Sequence, residues 1–201
     1  MEQRVNKTVG AGVTELDPDA ELMLRVKDGD GASFGKLLEK HRLPVVHFLY
    51  RMVQSHAVAE ELAQEVFLRV YRSRATYEPT AKFTTWLFRI ATHLALNSLR
   101  DGKHERAQER LDDVSGDLPA RQVQDARPTV EQSMLYQARL QEVSSAVAGL
   151  PETQRAAVLM HKYQGMEYTQ IAKVLGCSES AVKSLLFRAY EALRARLAHM
   201  A

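Results

Sequence analysis

Apolar residues recur at helical spacing along most of the chain, and the breaks between the recurrences outline eight helices. Residues 1–16 hold few large apolar side chains and contain Gly10-Ala11-Gly12, which predicts a disordered leader. Asp17-Pro18 then opens a first helix, with Asp as N-cap and Pro at N1. Leu22, Met23 and Val26 form its stripe, and Asp28-Gly29-Asp30-Gly31 ends it. A second helix is expected from Ala32 to about Gln54, carrying Phe34, Leu37, Leu38, Val45, Phe48, Leu49 and Met52, with a kink at Pro44. Ser55 caps a third, His56–Arg74, in which Val58, Leu62, Val66 and Val70 repeat every four residues toward a core. After a break at Tyr77-Glu78-Pro79-Thr80, a fourth helix over Phe83–Arg100 turns Leu87, Ile90, Ala91 and Leu94 inward.

From Asp101 to about Gln132 the periodicity fails. Gly116, Pro119, Pro128 and scattered charges mark a linker. A flexible segment of that length spans roughly 30 Å on average. Fully extended it reaches about 100 Å. The chain therefore divides into a leader at 1–16, a four-helix unit at 17–102, a linker at 103–130 and a smaller unit at 131–201. In that second unit a helix runs from about Thr129 to Ala148. Another starts at Leu150-Pro151-Glu152, with Pro at N1 and a stripe of Ala156, Val158, Leu159 and Tyr163, and Gly165 stops it.

Met166–Arg188 has the spacing of a helix-turn-helix. Ala172, Gly176 and Val182 stand at relative positions 1, 5 and 11, with Ile171, Leu175 and Leu185 as apolar companions. A small Ala lets two helices approach, Gly takes a positive φ at the turn, and Val locks the pair. Ser178 is placed to N-cap the second helix, which Tyr190–Leu197 extends. That helix presents Lys183, Ser184, Phe187 and Arg188 away from Val182 and Leu185. A cationic, hydroxyl-bearing helix of this kind suits the DNA major groove, and the alternative is a helical hairpin with a solvated face.

Composition narrows the class. The 201 residues are 45% hydrophobic and 26% charged, with only ten Gly and six Pro, so the expected fold is all-α: two small helical domains joined by a flexible linker. Net charge is +2, so a basic surface must be local. One cysteine excludes an internal disulfide and fits a reducing compartment. That residue, Cys177, falls in an apolar slot of the helix-turn-helix and reads as a small buried hydrophobe. No apolar run is long enough to span a membrane, and Met1–Asp17 lacks a signal-peptide core. Metal-ligand spacings, phosphate-binding glycine loops and nucleophile elbows are missing, which argues against an enzyme, a cofactor or a metal.

Two polar faces remain in the first unit. Glu60, Glu61, Gln64 and Glu65 cluster opposite the third helix's apolar stripe, as either a solvated surface or a docking face. Trp86, Arg89, His93, Asn97 and Arg100 recur at spacings of 3, 4, 4 and 3 along the fourth helix. Such a line suits stacking and pairing with unpaired bases, although Trp86 is equally a core aromatic beside a wet face.

Three motifs together resemble the extracytoplasmic-function sigma factors of the sigma-70 superfamily. Ala59-Glu60-Glu61-Leu62-Ala63-Gln64-Glu65-Val66-Phe67 is similar to the core-polymerase-binding helix of region 2. Phe83-Thr84-Thr85-Trp86-Leu87-Phe88-Arg89-Ile90-Ala91 is similar to the helix that opens and reads the −10 element. Leu150-Pro151 with Arg155, then Tyr168-Thr169-Gln170-Ile171-Ala172, Val182-Lys183-Ser184 and Arg188-Ala189, resembles region 4. The resemblance implies an alternative sigma factor that directs promoter-specific initiation from duplex −35 and melted −10 DNA. It assigns Glu61, Gln64 and Glu65 to RNA polymerase, and Trp86, Arg89, His93, Asn97 and Arg100 to the −10 strand. Thr169, Lys183, Ser184, Phe187 and Arg188 fall to the −35 element. The implied partners are core RNA polymerase, through its β′ clamp and β flap, promoter DNA and an anti-sigma factor, in the cytoplasm without membrane insertion. The linker would thread toward the polymerase active site, where Asp112, Asp113 and Asp117 mimic nascent RNA charge. His93 stands where the family commonly has Asn, Ala181 where it has Thr, and Leu185 where it has Arg. The rival readings are a helix-turn-helix regulator that acts without polymerase and a helical adaptor that binds only proteins.

Overall fold

The computed structural model describes residues 17–108 and 130–200, with side chains at 17–102 and 136–200. The leader, most of the expected linker, and Asp112, Asp113 and Asp117 lie outside the described residues. Eight α-helices and two short 3-10 turns account for the regular structure, and among the described residues there is no strand.

The first unit holds α1 (Pro18–Lys27), α2 (Gly31–Val53), α3 (His56–Arg72) and α4 (Phe83–Gln108). Local chemistry sets most of their ends. The Asp30 carboxylate accepts from Ala32 N–H at 2.9 Å and Ser33 N–H at 3.2 Å, capping α2. Helix α2 runs unbroken through Pro44 and closes on Gln54, which takes a left-handed conformation with φ +60°. The Ser55 hydroxyl accepts from Val58 N–H at 3.4 Å, as expected of a cap. Helix α3 stops at Arg72, two residues short of the expected end, and Ser73–Thr76 tightens into a 3-10 turn. Helix α4 runs eight residues past Arg100, so the start of the expected linker is helical.

Asp17 departs from expectation in an informative way. It is the N-cap of α1, but its carboxylate bonds no N–H of that helix. It accepts instead from Phe83 N–H at 2.7 Å and so caps α4, 66 positions along the chain. In the next turn Asp19 is buried, accepting from Lys40 Nζ at 2.7 and 2.8 Å and meeting His41 Nε2 at 2.9 Å. A buried carboxylate satisfied this way ties α1 to α2 without an orphaned charge. Leu37, Leu49, Met52, Val66, Val70 and Leu87 are fully buried, and Phe48 meets Phe88 edge to face at 5.2 Å. On α3 the buried line is Ala59, Ala63, Val66, Phe67 and Val70. Val58 and Leu62, expected inside, are only partly buried.

The second unit holds α5 (Val130–Ala148), α6 (Glu152–Tyr163), α7 (Tyr168–Leu175) and α8 (Glu179–Arg196). Pro151 is the N-cap of α6 rather than N1. Ala156, Ala157, Val158, Leu159 and Met160 are buried, whereas Tyr163, expected in that stripe, is 50% exposed. Its ring lies under the Arg51 guanidinium of α2, 4.2 Å from the centroid. The two units touch: α7 packs along α4, and α6 packs against α2.

Candidate nucleic-acid and polymerase interfaces

The helix-turn-helix forms as its spacing predicts. Gln170 Oε1 accepts from Glu167 N–H at 2.9 Å at the start of α7. Gly176 ends α7 at φ +65°, and Cys177 N–H reaches Ala172 C=O at 3.1 Å. The Ser178 hydroxyl caps α8 through Ala181 N–H at 3.2 Å. Ile171, Val174, Val182 and Leu186 are buried where the two helices cross. The buried slots belong to Val174 and Leu186 rather than to their neighbours Leu175 and Leu185, which are partly buried. Cys177 is likewise half-buried against the core, a free thiol rather than a buried one.

Lys183, Ser184, Phe187 and Arg188 converge on one shallow concavity of α8. Phe187 is 68% exposed, a large apolar surface left in water on an otherwise polar face. Lys183 Nζ stands 3.1 Å from Glu179 and Ser184 Oγ donates to Ser180 C=O at 3.1 Å. An exposed ion pair of this kind is worth at most about 1 kcal/mol, so the Lys183 charge is readily transferred to a phosphate. Thr169 is exposed at the start of α7 and does not line the concavity.

On α4 the exposed residues Arg89, His93, Asn97 and Arg100 share one strip, and Arg100 Nη2 donates to Asn97 Oδ1 at 3.3 Å. Trp86 is set apart from them. It is partly buried, 4.9 Å from the Tyr77 ring and 5.8 Å from Phe83, and so edges the strip from inside an aromatic cluster. Burial, with help from Asp17 and Asp19, pushes the Tyr77 phenol up to about 12, and its buried hydroxyl has no hydrogen-bond partner.

On α3, Glu61 and Gln64 are exposed, whereas Glu65 accepts from Arg69 Nε at 2.7 Å and Glu60 lies 3.4 Å from Arg42 of α2. The same strip continues into Leu68 and Tyr71, 49% and 42% exposed, with Phe34 against the Tyr71 ring at 5.1 Å. Sequence reasoning missed these two. Their signal was a pair of apolar residues out of phase with the inward stripe, four and seven residues after Gln64.

Comparison with known proteins places the chain in a family. The family model for sigma-70 region 2 matches residues 37–105, and that for sigma-70 region 4 matches residues 140–193. The chain is 33% identical over 178 residues to the RNA polymerase sigma factor CarQ of Myxococcus xanthus, covering 89% of this chain and 97% of that one. It is 30% identical over 182 residues to the RNA polymerase sigma-H factor of Pseudomonas aeruginosa, covering 88% and 92%. Further relatives carry the designation ECF in their names. The solved structure of the sigma factor RpoE from Bartonella quintana, in complex with the anti-sigma factor NepR, shares the fold. Its TM-score is 0.65 at 21% identity over 82% of this chain and 96% of that one. A lone helix-turn-helix regulator explains region 4 but not a region 2 ahead of it. The chain therefore belongs to the sigma-70 family, as an extracytoplasmic-function sigma factor that directs transcription initiation by RNA polymerase and is not an enzyme.

Proposed function

We propose that the three faces divide the work of promoter recognition. The face of α8 carrying Lys183, Ser184, Phe187 and Arg188 reads the duplex −35 element, and Thr169 steadies the phosphate backbone at the start of α7. The exposed strip of α4, with Arg89, His93, Asn97 and Arg100 beside Trp86, captures the melted −10 strand. Flipping a base costs a few kcal/mol, and stacking returns about 1–3 kcal/mol per base. Tyr77 and Phe83 hold Trp86 in a fixed pose, so an incoming base need not order it. The α3 strip of Glu61, Gln64 and Glu65, continued by Leu68 and Tyr71, docks on the β′ clamp, and region 4 takes the β flap. Acids beside exposed apolar side chains suit a basic partner surface with an apolar centre.

The observation that supports this reading best is the convergence of four DNA-suited side chains, including a 68%-exposed Phe187, on one face of α8. The Bartonella neighbour was solved with an anti-sigma factor, and we extend such a partner to this chain. We place the protein in the cytoplasm, where polymerase works. Among the described residues no helix is long and apolar enough to cross a membrane.

The test is co-elution with core RNA polymerase on gel filtration, followed by run-off transcription from a selected promoter. Glu61→Lys with Glu65→Lys should abolish co-elution while the melting temperature stays put. Undiminished co-elution would remove α3 from this role.

A further inference from the structure

Helix α1 lies outside the α4 strip, yet its two ends hold the segment that leads into α4. At its start, the Asp17 carboxylate accepts from the N–H of Phe83, the first residue of α4, at 2.7 Å. At its last residue, Lys27 Nζ donates to Tyr77 C=O at 3.0 Å. Tyr77 and Phe83 are the two rings that seat Trp86, and they bound the segment 78–82 on either side. Helix α1 also packs on the Ser73–Thr76 turn and on α4. One helix, about 15 Å long, therefore clamps both ends of the same connection.

The connection has little of its own to hold it. Glu78, Pro79, Thr80 and Lys82 are exposed, and the bond from Thr80 N–H to Glu78 C=O at 2.9 Å is internal to it. The buried Tyr77 hydroxyl has no partner, so it gives the ring no polar anchor, and the backbone carbonyl held by Lys27 supplies one. Asp17 serves α4 in place of its own helix, since its carboxylate bonds no N–H of α1. Pro18 at N1 has no N–H to satisfy, which lessens what α1 loses. At the start of α4 the carboxylate meets the positive end of the helix dipole, which strengthens the bond. Helix α1 is itself fixed to the bundle. Its Asp19 is buried and bonded to Lys40 and His41 of α2, and its Ala20, Met23 and Val26 are buried.

We infer that α1 is a splint for α4, in which Asp17 and Lys27 are positioning residues that seat Trp86 through Phe83 and Tyr77 without touching DNA. Release of either end frees Tyr77 or the start of α4 to move, and Trp86 must then be ordered when a base arrives. The inference rests on the proposed capture of the melted −10 strand by α4. Trp86 is the only tryptophan of the chain, so its emission reports on this seat in the free protein with no DNA present. The splint can therefore fail while the −10 reading stands, and the reverse.

The experiment compares Asp17→Ala, Lys27→Met and Asp17→Asn in the full-length protein, well below its melting temperature. Acrylamide quenching of Trp86 should rise about twofold in Asp17→Ala and in Lys27→Met, as the indole loses its seat. Assembled with core polymerase, both should bind a labelled single strand of the −10 sequence about tenfold more weakly, which is about 1.4 kcal/mol. Binding to core polymerase and to −35 duplex should stay unchanged, which a general loss of fold would not allow. Asp17→Asn still offers an oxygen to cap α4 and should restore both readouts. Unchanged quenching in Asp17→Ala and Lys27→Met overturns the splint, as does raised quenching with undiminished −10 binding. Equal losses of −10, −35 and core binding also overturn it, and so does a failure of Asp17→Asn to rescue. A wild-type holoenzyme that ignores the −10 strand would instead sink the role of α4, and quenching alone would then decide the splint.

Discussion

Helices α4 and α8, the two helices proposed to meet nucleic acid, are embedded to different degrees. Helix α8 buries one seam, Val182, Leu186 and Ala189, flanked by the partly buried Leu185, Tyr190 and Leu193, and leaves its opposite face in water. Over Phe83–Leu99 helix α4 is enclosed on most sides, and its exposed residues there, Arg89, His93 and Asn97, form a narrow strip that Arg100 continues. The physical tasks differ in the same sense. A helix that enters a major groove about 12 Å wide must stand clear of its own domain. A helix that holds an unstacked strand needs a wall that does not yield. In the proposed reading a recognition residue stands next to a buried one on both helices, Phe187 beside Leu186 and Arg89 beside Phe88, and the difference is that α4 is packed from more sides.

The largest effect that tests this contrast comes from truncating a buried side chain behind the α4 strip and an exposed one on the α8 face. Phe88→Ala removes a ring that is 2% exposed and packed on Phe48, and should cost about 3–5 kcal/mol in urea unfolding. Phe187→Ala, on α8, should change stability by less than about 0.5 kcal/mol and still weaken −35 binding. Equal stability losses would break the contrast. Arg188→Ala should cost about 1–3 kcal/mol of discrimination at one −35 base pair, read by competitive binding to variant duplexes. A uniform loss across all duplexes would make it a phosphate contact.

Smaller effects sharpen the picture. Ser178→Ala removes the cap on α8 and should cost about 1 kcal/mol, lowering DNA affinity only through the helix-turn-helix. The smallest is a pH effect in the first unit. Burial of His41 against Phe83 holds its imidazole below the ordinary 6.5, outweighing the pull of Asp19 upward, while Lys40 adds to the depression. The folded state then binds fewer protons than the unfolded one, so stability falls as pH drops through 6.5 toward the depressed value. Thermal melts between pH 7.5 and 5.5 should show that loss, reduced in His41→Gln.

What could be read from the chain followed the range of the interactions involved. The Asp30 and Ser178 caps and the Gly176 turn act within four residues of themselves, so spacing alone located them. The Asp17 carboxylate was equally visible, but its partner, Phe83 N–H, is 66 positions away and leaves no local period. At Leu185 and Leu186 two adjacent apolar residues compete for one inward direction, and only the packed neighbours select Leu186. The partial burial of Leu185 also explains how an apolar residue is accommodated where the family commonly carries Arg. Leu68 and Tyr71 were hidden among ordinary helix formers, because outward orientation is a property of the bundle rather than of the residue.

By itself, the sequence determined the helices, their caps, the helix-turn-helix and the family, since periodicity and capping arise from backbone geometry over a few residues. Tertiary structure alone decided that Trp86 joins Tyr77 and Phe83, that α3 carries an apolar continuation of its acidic strip, and that Arg155 spans the two units. Each of these depends on groups distant in the chain meeting at van der Waals or hydrogen-bond range, and only the folded core brings them there.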